Sequence, residues 1–181
     1  MKYRNLFIVA IALIFAVTTN AQDKFEYVGV KTCGMCHKKA DDGEQLKIWE
    51  ASAHANAYKT LQTEEADKIA AEKGFKTKAA ETADCLKCHV SGHGVDAKLI
   101  GKKFKMEDGV QCETCHGPGS EYKSKKVMEN REEAVKNGML VFEDVDKELC
   151  QTCHNEESPT FVKFDYKEMW AKIAHPIPAA K

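Results

Sequence analysis

The apolar positions of this chain form one unbroken run followed by short, separated patches. Leu6 to Val17 is apolar without interruption. That is the length of a signal-peptide core and is short for a membrane span. Beyond it, Leu46, Ile48, Trp49, Ala53, Ala57 and Leu61 repeat at helical spacing and predict a helix from Glu44 to about Thr60. Thr63 followed by two glutamates reads as the start of a second helix, which stops at Gly74. A short helix is expected over 82–89. A longer charged helix is expected over 120–137, capped by Ser120 and ended by Gly138. Another opens at Asp146, and a last one runs from Phe164 to His175 with Met169, Trp170 and Ile173 on its apolar side. Ser91–Gly94, Gly117-Pro118-Gly119 and Ser158-Pro159 break the chain. Phe25 and Tyr27 alternate within 23–31, as in a short extended piece, and 98–105 fits either a strand or a loop. The fold class is mostly α, with short helices, long connections and little β signal.

The start of the chain adds a compartment. Lys2 and Arg4 precede the apolar run, and Thr19-Asn20-Ala21 supplies small residues at the cleavage positions. We expect a signal peptide over 1–21 and one domain over 22–181, located in the periplasm or otherwise exported, with no stable membrane insertion after cleavage. A retained N-terminal anchor helix is the rival. The 27 basic and 28 acidic residues leave a net charge of −1, so nothing points to nucleic acid. The run Lys123–Lys136 reads as a solvated helix face, or as a docking surface.

Candidate chemistry changes the picture most. All eight cysteines lie in four copies of Cys-x-x-Cys-His: Cys33, Cys36 and His37; Cys85, Cys88 and His89; Cys112, Cys115 and His116; Cys150, Cys153 and His154. This is the attachment pattern of haem c. Two thiols one turn apart add to the two vinyl groups along one porphyrin edge, and the next His offers its imidazole to the iron. Four haems c per chain are expected, and their porphyrins would replace much of a side-chain core. Two rivals also pair the cysteines: four disulfides, or two zinc sites of four thiolates each. Neither needs a histidine after every pair.

Seven histidines less the four in the motifs leave His54, His93 and His175. Three distal imidazoles for four irons leave one iron open or bound otherwise. The alternatives are Met106, Met128, Met139, a lysine, Tyr122, the mature N-terminus or water. Trp49 and Trp170 fit either a haem plane or plain core.

Several stretches carry a family resemblance. They are Cys33–His37 with Trp49, Ser52, His54, Ala55, Tyr58 and Leu61 after it; Cys88-His89-Val90-Ser91-Gly92; Gly109-Val110-Gln111-Cys112 through Gly117-Pro118-Gly119; and Cys150–His154 with Phe164-Asp165 and a helix ending near His175. In these the chain resembles the tetrahaem cytochrome c-554 family along nearly its whole exported length. The resemblance implies a mostly helical fold with closely stacked haem pairs, and electron transfer between redox protein partners. It further implies a five-coordinate haem on the second motif and bis-histidine haems elsewhere, with His54 serving the fourth and His175 the third. The family's distal His after Gly-Pro-Gly is missing here, with Tyr122 near its place, and His93 is expected to take over the first haem. The expected function is electron transfer. The alternative is a haem enzyme acting on a small nitrogen oxide or a peroxide at the open iron, and a sensor is disfavoured because no output domain follows.

Overall fold

A computed structural model describes residues 24–141 and 147–177. The apolar run, the cleavage site and Asp146 lie outside them. The described chain is mostly helical, and all its helices are short: α1 Val30–Gly34, α2 Gln45–Glu50, α3 Ala57–Thr60, α4 Glu64–Glu72, α5 Ala83–His89, α6 Cys112–His116, α7 Lys125–Met128, α8 Arg131–Lys136, α9 Lys147–Gln151 and α10 Tyr166–Ala171. Even α4, at nine residues, is shorter than an isolated helix stable in water. These helices therefore depend on what they pack against. Among the described residues no helix is long and apolar enough to cross a membrane.

The elements that carry strong local signals form where expected. The Thr63 hydroxyl accepts from the Ala66 N–H (3.2 Å) at the start of α4, whose first turn holds Glu64, Glu65 and Asp67. The helix is followed by Gly74. Ala66 and Ala70 of α4 pack with Leu61, Phe75, Ala79, Cys85 and Leu86. Asp67 accepts from the Ala79 N–H at 2.9 Å. This small apolar cluster seats α5, and with it the second motif.

Three predicted helices differ from the structure. The helix expected over 44–60 is broken into α2, a single tight turn at His54–Asn56 and α3. The Ser52 hydroxyl donates back to the Trp49 carbonyl (2.7 Å), and the Asn56 amide donates to the Ser52 carbonyl (3.3 Å). Side chains thus compete with the helical ladder at the break. The helix expected over 120–137 is α7 and α8. Ser124 and Asn130 cap them by accepting from Val127 and Glu133 N–H groups, so an internal capping residue divides the run. Ser120 is not a cap; its hydroxyl accepts from the Glu26 N–H at 3.1 Å. The last helix stops at Ala171 and leaves His175 beyond its end.

The N-terminal segment forms a strap. The Tyr27 N–H donates to the Leu99 carbonyl and the Gly101 N–H to the Tyr27 carbonyl, both at 2.8 Å. This single parallel bridge pairs Tyr27 with Ile100, and it is the extended piece expected near residue 27. Gly29 follows at φ 83°, ψ 151°, a conformation essentially restricted to glycine. A Cβ there would lie 2.8 Å from the Phe104 Cα.

The apolar core is thin. Among the described residues the buried hydrophobics are Val28, Val30, Leu61, Ala70, Ala79, Val90, Phe104, Tyr122 and Ala134. Three of these are alanines. That is too little apolar volume to hold so many short helices together. A large apolar cofactor would supply what the side chains do not.

Candidate haem sites

Each motif is wound into about one helical turn. The third motif is α6 itself, and the second fills most of α5. In the first and fourth, the His37 and His154 N–H groups donate to the Cys33 and Cys150 carbonyls at 3.1 and 2.9 Å. One turn places both thiols and the imidazole on neighbouring positions of a short cylinder.

Two histidines from outside the motifs face two within them. The His54 ring lies 6.0 Å from the His154 ring, centroid to centroid. The His175 ring lies 5.8 Å from the His116 ring. A metal held between two imidazoles needs about 2 Å to each nitrogen plus part of each ring, or roughly 6 Å between centroids. Burial holds the His54 and His154 imidazoles below their ordinary pKa, and His154 adds to the effect at His54. Burial does the same at His116, against the pull of the Leu140 carbonyl. All three are therefore neutral near neutral pH, the form that ligates metals.

The far nitrogens are also arranged. The His89 Nδ1–H donates to the Ala57 carbonyl at 2.7 Å, and the His116 Nδ1–H donates to the Leu140 carbonyl at 3.0 Å. His37 Nδ1 lies 3.3 Å from Gln45 Oε1. Such partners fix the tautomer and leave Nε2 for a metal. His154 instead stacks on Phe164 at 4.7 Å and 19°. His93 is half-buried in the 91–94 turn. Among the described residues it makes no ring contact with a motif histidine, and neither His37 nor His89 faces a second imidazole. The Tyr122 hydroxyl donates to the Gly117 and His116 carbonyls at 2.6 and 3.1 Å, which commits it to the backbone. Trp49 is tied to the third motif's approach, its indole N–H donating to the Val110 carbonyl at 2.7 Å.

The motif thiols meet across motifs: first with third, second with fourth, and Cys115 of the third beside Cys150 and Cys153 of the fourth. The Cys33 and Cys112 thiols lie close enough to shift each other's pKa, Cys33 up and Cys112 down, which places the first motif beside the third. The Cys88 thiol reaches Cys153, joining second and fourth, and burial with that neighbour pushes it up to about 11. Outside that second pair, Lys87 Nζ meets the Glu157 carboxylate at 2.6 Å in an exposed ion pair.

Sequence comparison agrees with this reading. The family model described as "Cytochrome c554 and c-prime" matches residues 32–117, which hold the first three motifs. The cytochrome c-554 of Nitrosomonas europaea is 33% identical over 163 residues, covering 79% of this chain and 64% of the relative. The chain belongs to the cytochrome c-554 family. It spans 64% of that relative's length. No solved structure matches. Cytochromes c bind haem c covalently and work with redox partners.

The residues present fit that group in this cytochrome c-554 family member. No disulfide joins any of the eight cysteines. Among the described residues no three His, Cys, Asp or Glu side chains converge as a zinc centre requires. What does converge is imidazoles in twos, beside half-buried thiols and around a deficient core. An open cleft of ≈ 360 Å³ lined by Gly34, Met35, Leu46 and Trp49 flanks the first motif. A second of ≈ 560 Å³ lies beyond it, with Met106 on its wall.

Sequence reading passed over Gln111 and Glu113, which are 2% and 1% exposed. Both are usually surface residues. The only hint was that a charged residue sits inside the motif most specific to the family.

Proposed function

We propose that the exported chain, residues 22–181, binds four haems c and carries electrons between redox proteins in the periplasm. Thioether bonds would run from Cys33 and Cys36, Cys85 and Cys88, Cys112 and Cys115, and Cys150 and Cys153. His37, His89, His116 and His154 would be the proximal ligands. His54 would complete the fourth site, His175 the third and His93 the first. Each haem supplies a one-electron iron couple. The chain's own part is to hold the His54, His116 and His154 imidazoles neutral, aim those of His37, His89 and His116 through their Nδ1 partners and keep the sites close together. The observation that carries this reading is the two facing histidine pairs at 6.0 and 5.8 Å.

The second site favours a further reading. The His89 imidazole is anchored by Ala57, and no other ring faces it among the described residues. An open position there would admit a small nitrogen oxide or a peroxide and make the protein a haem oxidoreductase. Absorption and EPR spectra of the oxidised protein, with and without nitric oxide or cyanide, decide between the two. One responsive high-spin haem is expected beside three low-spin ones. A wholly low-spin, unresponsive protein would rule out the open site.

A further inference from the structure

Glu113 stands between the two cysteines of the third motif and has no part in binding or ligating haem. It is 1% exposed. Its Oε1 accepts from the Val28 N–H (2.8 Å) and the Gly119 N–H (2.7 Å), and its Oε2 accepts from the Gly29 N–H (2.8 Å). On either side of it, Gln111 Oε1 accepts from the Val30 N–H (2.8 Å) and the Ser120 hydroxyl from the Glu26 N–H (3.1 Å). The strap that leads into the first motif is thus held by residues 111–120, which contain the third. Three N–H donors on two oxygens is the pattern accepted by an ionised carboxylate.

No cation pairs with Glu113 among the described residues. Burial raises its carboxyl pKa, opposed by the three N–H donors and, from a distance, by Lys123. Burying an unpaired carboxylate is costly, although a neutral side chain could take most of these hydrogen bonds. Its charge also acts on the Cys33 and Cys112 thiols, which are neighbours where the two motifs meet. The second and fourth motifs are linked by an exposed Lys87–Glu157 pair that water screens.

We propose that Glu113 is a positioning residue that locks the first motif to the third and holds a fixed negative charge between them, so that this pair of haems is harder to reduce than it would otherwise be. The inference rests on the four-haem reading above. A negative charge in a poorly solvated setting favours the more positive, oxidised iron.

The test is Glu113→Gln in the holoprotein. Its amide oxygen can still accept from Val28 and Gly119, and only the Gly29 N–H is orphaned. Spectroelectrochemical titration should show two haems shifted toward reduction by about tenfold in equilibrium, ~59 mV for a one-electron couple, and the others unmoved. His54→Ala and His175→Ala backgrounds mark the fourth and third haems. Unmoved potentials, or an equal shift of all haems, would overturn the proposal. If the variant is not recovered with haem, redox-difference infrared spectra of the wild-type protein, labelled at glutamate carboxyls, replace it. A buried carboxylate band that follows one haem pair supports the proposal, and its absence refutes it. A wild-type protein without covalent haem would instead bring down the reading beneath.

Discussion

Replacing His54 with alanine should convert one low-spin haem, the fourth, to high spin. The His54 ring stands 6.0 Å from that of His154, the spacing of two imidazoles on one metal. Alanine leaves that side of the site empty. No neighbour can substitute: Ala53, Ala55 and Ala57 carry no donor, and the Asn56 amide is engaged with the Ser52 carbonyl. His154 keeps its place against Phe164, and the thioether bonds to Cys150 and Cys153 do not depend on the distal ligand. Of three low-spin irons two should remain, so the integrated low-spin EPR signal per protein falls by about one third. His54→Met should restore low spin with a raised potential, since a His/Met pair raises potentials. His175→Ala should remove a second third, and the double variant should lose both additively, because each imidazole faces a different motif histidine. Undiminished low-spin intensity in His54→Ala would refute the pairing.

Other perturbations test other parts of the molecule. His93→Ala should make one more haem high-spin; an unchanged spectrum would hand the first iron to another ligand, with Met106 on the adjoining cleft the next to vary. Gly29→Ala forces a side chain into a glycine-only conformation and toward the Phe104 backbone. It should cost about 2 kcal/mol or more, seen as a melting temperature several degrees lower; an unchanged melting temperature would mean the strap is not held as described. Lys87→Met breaks only two exposed ion pairs, to Glu157 and Asp84. Haem content, melting temperature and potentials should stay as in the wild type, and a clear loss would show that the second and fourth motifs rely on them.

Local chemistry was legible in the residue order; tertiary choices were not. The four Cys-x-x-Cys-His turns, the Thr63 cap, the stop at Gly74 and the breaks at 91–94 and 117–119 all depend on residues within a few positions of each other. The spare histidines could be counted, and a resemblance could assign His54 and His175, but spacing alone could not show which rings face. The breaks inside 44–60 and 120–137 turn on Ser52, Ser124 and Asn130. These residues tolerate a helix and favour its ends, so the outcome rests on packing. Glu113 was invisible for a related reason. Its burial follows from a strap 84 residues away in the chain, and no local pattern reports such a contact. The thin apolar core was expected from composition and recurs in the fold, where three of the buried hydrophobics are alanines.

The central claim is that each of four Cys-x-x-Cys-His turns carries its own covalent haem. The intact mass of the protein purified from a host that matures c-type cytochromes, taken after acid denaturation, tests it most directly. The account predicts a chain beginning near Gln22 with four haems that survive denaturation. Fewer than four, or free thiols or zinc in their place, would contradict it.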